Sequence, residues 1–325
     1  MKAEKLGGQL VEKNWERTLP FYYVDKGTVC RLFEGILEEE EILSITLVDE
    51  GCRTSNYIVT DSCNKKYVLK IFYVSEQEYR KEYNILNMLK DFIPVQKIYK
   101  FDKSAYIEDK YYAIYEFLEG KTLSQTLNSG GIISEEIIRE AANMLAYIHK
   151  TRFEGIGFIN ESLYVGHKLK PLNQWYDEFM TDLVKIRLGE GIVQKINLII
   201  QDNIDELLNM DRNPRLVHGD FQGTNILIDK NKISGIIDWE FAMAGHPLSD
   251  IGQFFRYEEY FDKKSISIFE EEYRKKSDYI LPDNWYKLSR IRDLANLIQL
   301  MGFKEEMPNK YAEIKNIIIK LINEC

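Results

Sequence analysis

Cysteine is scarce: four residues in 325, at Cys30, Cys52, Cys63 and Cys325, with no C-x-x-C pair among them. Such scattered thiols exclude a disulfide framework and a zinc cage, and they read as reduced cysteines of a cytosolic protein. His149, His167 and His246 have no metal-ligand spacing either. No apolar run is long enough to span a bilayer; Ile317-Ile318-Ile319 is cut off by Lys320, and Met1–Lys5 has no apolar core behind it. Neither a membrane span nor a secretory leader is expected, which points to a cytoplasmic location. Positive charge is also short, with 43 Lys and Arg against 52 Asp and Glu, a net charge of -9. That balance is a poor match for nucleic acid, whose binding requires cations against phosphates; it tolerates a small cationic partner. Prolines (7) and glycines (19) are few, and there is no repeat or low-complexity tract. What remains is an ordinary globular composition, 45% hydrophobic and 29% charged. Its length favours two lobes sharing a cleft.

Local patterning divides the chain. A short helix is expected over 28–38, followed by strands over 41–49, 56–60 and 66–73. Ser75 with Glu78 three residues later forms a capping box for a helix to about Lys90, which Pro94 prevents from continuing. Two further strands are expected over 96–101 and 111–118. After Gly120 helical spacing takes over, at 134–149, 175–187, 193–210, 268–276, 285–301 and 311–322. A strand-rich part (1–118) and a helix-rich part (119–325) make an α+β protein of two lobes joined near Phe117–Gly120.

One β-rich island, Leu216–Ala242, interrupts the helical part. It runs His218-Gly219-Asp220, then Asn225, then apolar Ile226–Ile228, a polar turn Asp229-Lys230-Asn231-Lys232, apolar Ile233–Ile237, and Asp238-Trp239-Glu240. The hairpin returns Asp238 to the loop that holds Asp220 and Asn225. Phosphoryl transfer requires this combination: a carboxylate to orient a hydroxyl and take its proton, and hard oxygens to hold magnesium against phosphates. Any one of the three could be a turn residue, since Asp and Asn favour loops. Three in this order, around an apolar hairpin, are not well explained that way.

The H-x-D-x-x-x-x-N pattern followed by Ile236-Ile237-Asp238-Trp239-Glu240 resembles the aminoglycoside phosphotransferase family, whose relatives include choline and methylthioribose kinases. The tail Ala244–Asp250 is similar as well. The resemblance implies a bilobal protein-kinase-like fold: an antiparallel-sheet N-lobe with one helix, and a mainly helical C-lobe bearing the catalytic hairpin. It implies ATP or GTP as co-substrate, with Mg2+. Asp220 would be the catalytic base, and Asn225 and Asp238 would hold the metal. Lys70, in the apolar strand Val68-Leu69-Lys70-Ile71, would pair with the phosphates, fixed by Glu82 or, one turn earlier, Glu78. The turn Glu50–Asn56, including Ser55, would cover the phosphates. Tyr115 would guard the back of the purine pocket, and the main chain of Glu116 and Leu118 would bind the purine. The acceptor implied first is the hydroxyl of an aminoglycoside or related cationic antibiotic. A metabolite alcohol (sugar, choline or methylthioribose) and a non-catalytic kinase-fold protein are the alternatives.

Three features bound the resemblance. Gly51 stands alone where protein kinases carry G-x-G-x-x-G, so phosphate coverage falls to Arg53, Thr54, Ser55 or main chain. No A-P-E segment follows Asp238, which argues against a protein kinase. Gly120-Lys121-Thr122 is not a Walker loop, because Tyr115 occupies the position of its first glycine. For Lys70 the competing reading is a surface lysine on an edge strand, and for His218 a buttress of the loop is favoured over proton transfer.

Overall fold

The period-two patterning of the first third folds into one antiparallel sheet with a helix against each face. The structure is a computed structural model describing residues 10–49, 51, 53–72 and 75–324. After an irregular segment comes α1 (Lys26–Phe33), capped by Asp25, whose carboxylate accepts the Thr28 amide at 2.7 Å. Then follow β1 (Ile42–Leu47), β2 (Ser55–Asp61), β3 (Lys66–Phe72), α2 (Glu76–Leu89), β4 (Ile98–Ser104) and β5 (Lys110–Glu116). The strand order is β1-β2-β3-β5-β4. The first helix is shorter than expected because Gly35, at φ 84°, turns the chain. Of the expected phosphate turn and third strand, Glu50, Cys52 and Tyr73 lie outside the described residues.

The sheet's two faces have different neighbours. Tyr57, Val59, Leu69, Ile71 and Ile114 meet Val29, Leu32 and Phe33 of α1 in a small core of their own. Residues paired across antiparallel strands share a face, so Lys70 (opposite Ala113) and Val68 (opposite Tyr115) project from the other side. On that side Phe72, Ala113 and Tyr115 pack with Ile85, Leu86 and Leu89 of α2. Strand parity therefore carries Lys70 toward the remainder of the chain. The sheet order also excludes the edge-strand reading, since β3 lies between β2 and β5.

Helices dominate the second lobe. It comprises β6 (Lys121–Thr122), α3 (Leu123–Asn128), α4 (Glu135–Ile148), β7 (Gly157–Ile159), β8 (Val165–Lys168), α5 (Leu172–Phe179), α6 (Asp182–Leu188) and α7 (Glu190–Met210). Next come β9 (Arg215–Val217), β10 (Ile226–Asp229), β11 (Lys232–Ile236) and β12 (Met243–Gly245). The chain closes with α8 (Pro247–Phe254), α9 (Lys263–Lys276), α10 (Trp285–Met301) and α11 (Pro308–Glu324). The single helix expected over 175–187 is two, because Thr181 breaks it and caps the second, accepting the Val184 amide at 3.4 Å. Helix α8 was not expected from the sequence; it starts with Pro247 in its first turn and His246 as its cap. Phe254, Phe255, Phe269 and Trp285 wedge α8, α9 and α10 together. Burying each contributes roughly 1.5–3 kcal/mol.

Two small sheets carry the island. β10 pairs with β11 and with β6 at the lobe junction, and β12 lies between β7 and β9. Among the described residues, no helix is long and apolar enough to cross a membrane.

Candidate active site

The hairpin turns tightly because Lys230 and Asn231 both adopt left-handed backbone, at φ 47° and 64°. This matches the twist of the flanking strands, and Asn accepts it readily. Beyond the last paired residues, the Ile237 amide donates to the Asn225 carbonyl at 3.0 Å, so Asp238 emerges beside Asn225. Asp238 is itself left-handed, at φ 66°, a conformation costing about 1–3 kcal/mol in a residue with a side chain. Two contacts hold the segment there. Lys70 Nζ donates to Asp238 Oδ1 at 2.7 Å. Fully buried Trp239 donates its indole N–H to the Ile236 carbonyl at 3.1 Å.

The loop from His218 to Asn225 is fixed from beneath. Gly219 has φ 81°, and a Cβ there would sit 2.3 Å from the Phe241 carbonyl oxygen. Both conditions require glycine. Gly219→Ala is expected to destabilise the protein by about 2–3 kcal/mol, through strain and displaced backbone, and to depress turnover; denaturant melts alongside initial rates check this. The Asn225 amide donates to the Asp220 carbonyl at 2.9 Å and to Asp220 Oδ2 at 2.7 Å. Committing its N–H groups in this way leaves the Asn225 amide oxygen as an acceptor.

His218 is fully buried and links both halves of the site. Its Nε2 lies 3.0 Å from the Ile237 carbonyl, and its Nδ1 accepts the Asp220 amide at 3.2 Å. That pattern assigns the neutral tautomer with hydrogen on Nε2. Burial pushes its pKa down, consistent with an uncharged buttress.

The charges converge. Burial pulls the Lys70 pKa down, but Asp238, Glu240 and Glu82 more than restore it, so Lys70 is held as a cation. Burial opposes ionisation of Asp238, yet Lys70 beside it holds the carboxyl below the usual range. Burial pushes Asp220 up to about 6, with Arg256 opposing and Asp238 adding to the rise. Burial likewise lifts Glu82 to about 7, against the pull of Lys70.

The residues singled out in the sequence divide into groups. Lys70, Asp220, Asn225 and Asp238 are brought together by the contacts above. Glu82 is buried close enough to influence Lys70, which in this structure pairs with Asp238, while Glu78 caps α2 through Ser75. Ser55 is buried, and its hydroxyl accepts the Tyr22 amide at 2.8 Å. The Thr54 carbonyl is taken by Arg17 at 2.9 Å. The charge of Arg53 is felt at Asp238 and Glu240. Tyr115 is buried on the Lys70 face, its hydroxyl close to Glu82. The Glu116 amide is spent on the Lys97 carbonyl at 2.8 Å, and its own carbonyl accepts the Gln96 side chain at 2.8 Å. One lone pair of that carbonyl is left. Leu118 lies just beyond, where Ser234 of the hairpin donates to the Glu119 carbonyl at 2.6 Å and pins the linker.

Sequence reading missed the supports. Asp250 of α8 accepts the His218 amide at 2.8 Å and the Gly219 amide at 2.9 Å. Gln253, one turn on, accepts the Phe221 amide and donates to the Gly219 carbonyl, both at 2.8 Å. Arg256 grips Asp293 through Nε and Nη2, at 2.8 and 2.7 Å, and reaches Gln222. The signal was present as polar residues at three-residue spacing among apolar Leu248, Ile251, Phe254 and Phe255. Lys81 was missed too; from α2 it donates to the Glu240 and Ala242 carbonyls at 2.7 and 3.2 Å, tying the segment after Asp238 to the first lobe.

A sheet-and-helix lobe, a pinned linker, and a hairpin that gathers Lys, Asp, Asn and Asp define a kinase-like phosphotransferase fold. The chain belongs to the phosphotransferase enzyme family, whose sequence pattern matches residues 44–279. Among solved structures it is similar to a thermostable mutant of the aminoglycoside phosphotransferase APH(4)-Ia in ternary complex with AMP-PNP and hygromycin B. That likeness has a TM-score of 0.66 at 15% identity, covering 91% of this chain and 98% of that one. The macrolide 2'-phosphotransferase MphH of Brachybacterium faecium (TM-score 0.63, 12% identity) covers 93% of this chain and 98% of its own. A putative fructosamine-3-kinase of Thermobifida fusca (0.61, 16%) covers 93% and 100%. At these identities the likeness is one of fold. A curated relative, acyl-CoA dehydrogenase family member 11 of Rattus norvegicus, is 22% identical over 162 residues, 49% of this chain. The chain spans only 20% of that protein's length, and 14% of the human counterpart's.

Proposed function

We propose that this protein is a cytoplasmic small-molecule kinase that transfers the terminal phosphate of ATP or GTP to a hydroxyl of an aminoglycoside or related cationic antibiotic. The observation carrying the proposal is the convergence of Lys70, Asp220, Asn225 and Asp238 at one end of the hairpin, linked by hydrogen bonds of 2.7 Å. In this reading residues 1–118 form the nucleotide lobe and 119–325 the catalytic and acceptor lobe. The remaining Glu116 carbonyl lone pair and the Leu118 amide receive the purine against Tyr115. Lys70, already a buried cation, turns from Asp238 to share the phosphates, with Glu82 behind it. Arg53 of the turn after β1 and Ser55 at the start of β2 cover the phosphates.

Magnesium fits the oxygens available: the Asn225 amide oxygen and the Asp238 carboxylate, two hard donors that leave room for phosphates and water. When bound, it would neutralise the charge of the phosphates. Asp220 orients the acceptor hydroxyl and takes its proton as the phosphoryl group departs in a loose transition state.

A base must be ionised to act, and burial keeps the Asp220 proton in place until about pH 6. Turnover is therefore expected to fall about tenfold per unit below that pH and to level off above pH 7. A pH profile of kcat/KM, which reports groups of the free enzyme, checks the sign; a rate that rises on acidification would remove Asp220 from the role. The proposal as a whole is tested by magnesium-dependent turnover with ATP and GTP, against aminoglycosides, sugars, choline and methylthioribose. Stimulation by a metabolite alcohol alone would keep the kinase and discard the antibiotic. No turnover and no nucleotide binding would leave a non-catalytic member of the fold.

A further inference from the structure

Residues 10–22 form no helix or strand, yet they run as a strap between the two lobes. At one end the Val11 amide donates to Asn128 Oδ1 at 2.8 Å, and the Asn128 amide donates back to the Val11 carbonyl at 2.9 Å. Val11 itself is buried in the larger core. In the middle, the Glu16 carboxylate accepts the Asn309 and Lys310 amides at 2.9 and 3.2 Å, at the start of α11. At the other end Arg17 donates to the Gly51 and Thr54 carbonyls, and the Tyr22 amide reaches Ser55.

Between these anchors lies Glu12. Its backbone is left-handed, at φ 51°, and its amide donates to Glu313 Oε1 at 3.0 Å. Its side chain is only 10% exposed, and Oε1 has no hydrogen-bond partner. The nearest cation is Arg256, 4.0 Å away and already committed to Asp293 and Gln222. Gln222 is two residues beyond Asp220, and the Asp220 charge is felt at Glu12. Glu313, which also accepts the Tyr257 hydroxyl at 2.6 Å, adds a third carboxylate.

We propose that Glu12 is a specificity-determining residue of the acceptor site, its orphaned oxygen receiving a protonated amine of the acceptor beside Asp220. The inference rests on the kinase reading and deepens it. A buried carboxylate oxygen without a donor is costly, and a strained backbone that keeps it so indicates a donor supplied from outside. Asp220 and Glu313 add negative charge that Arg256 and Lys310 offset only in part, and a neutral hydroxyl would offset none of it. An ammonium group, compact and with three donors, answers both needs. Burial, only partly offset by Arg256 and Lys310, raises the Glu12 carboxyl to about 8, so at neutral pH it keeps its proton while the site is empty and gives it up when an ammonium group enters.

The test is calorimetric titration of the full-length, nucleotide-free protein with hygromycin B, kanamycin and glucosamine, each beside its N-acetylated form, and separately with Mg·ATP. At least one amine is expected to bind, and its neutral form to bind much more weakly. Glu12→Gln should weaken the amine about 10- to 100-fold, the worth of a charge-assisted hydrogen bond. Glu12→Asp, which keeps the charge, should retain most of the affinity. Glu305→Gln, removing an exposed carboxylate elsewhere in the lobe, should change nothing. Equal binding by the parent and Glu12→Gln, equal binding of charged and neutral forms, or no amine binding while Mg·ATP still binds would overturn the inference and leave the kinase reading intact. Loss of Mg·ATP binding by the parent would instead count against the kinase reading itself.

Discussion

Asp220→Asn is expected to lower kcat by about 10²–10⁴, the range for loss of a positioned base. The substitution keeps the shape of the side chain and an oxygen facing Asn225, which donates to Asp220 at 2.7 Å. Nucleotide affinity should therefore change little, because Lys70, Asn225 and Asp238 remain in place. The separation of the two effects carries the meaning. A parallel loss of nucleotide affinity would indicate a collapsed loop, and an unchanged kcat would deny Asp220 any part in proton transfer. Single-turnover rates with saturating Mg·ATP, together with equilibrium nucleotide binding, distinguish these outcomes.

Asp250→Ala is expected to have the largest effect on stability. Asp250 is fully buried and receives the amides of His218 and Gly219, with His149 Nε2 3.2 Å away. Removing the carboxylate orphans two buried N–H groups, at about 1–3 kcal/mol each. A total loss of about 3–5 kcal/mol would consume much of the stability of an ordinary domain. The same change frees the loop that holds Asp220, so activity should fall even in molecules that remain folded. Urea melts monitored by tryptophan fluorescence measure the first effect. A variant as stable as the parent would mean that Gln253 and the His218–Ile237 contact alone suffice to hold the loop.

The parts of this account that could be read from the sequence are those encoded locally. The hairpin was legible because Asp229-Lys230-Asn231-Lys232 supplies residues that accept left-handed backbone between two apolar runs. Lys70 was legible because a single cation in Val68-Leu69-Lys70-Ile71 must face something, and strand parity decides what. The supports were legible only as a polar stripe, Asp250, Gln253 and Arg256 at three-residue spacing; what that stripe meets depends on long-range geometry, since Asp250 reaches residues about thirty positions upstream through α8. The local contacts of Ser55 and Glu82 were hidden for the same reason: Tyr22 donates to the Ser55 hydroxyl, and Glu82 lies buried near a Lys70 that pairs with Asp238. Glu12 was invisible, since an irregular segment carries no periodicity to show where it packs.

The most direct measurement is 31P NMR of the product formed from Mg·ATP or Mg·GTP and each acceptor of the panel, with the parent and with Asp220→Asn. The account predicts a new phosphomonoester resonance on one acceptor, growing as the terminal phosphate is lost, and its near absence with the variant. Release of inorganic phosphate alone, or the same ester formed equally fast without the Asp220 carboxylate, would contradict it.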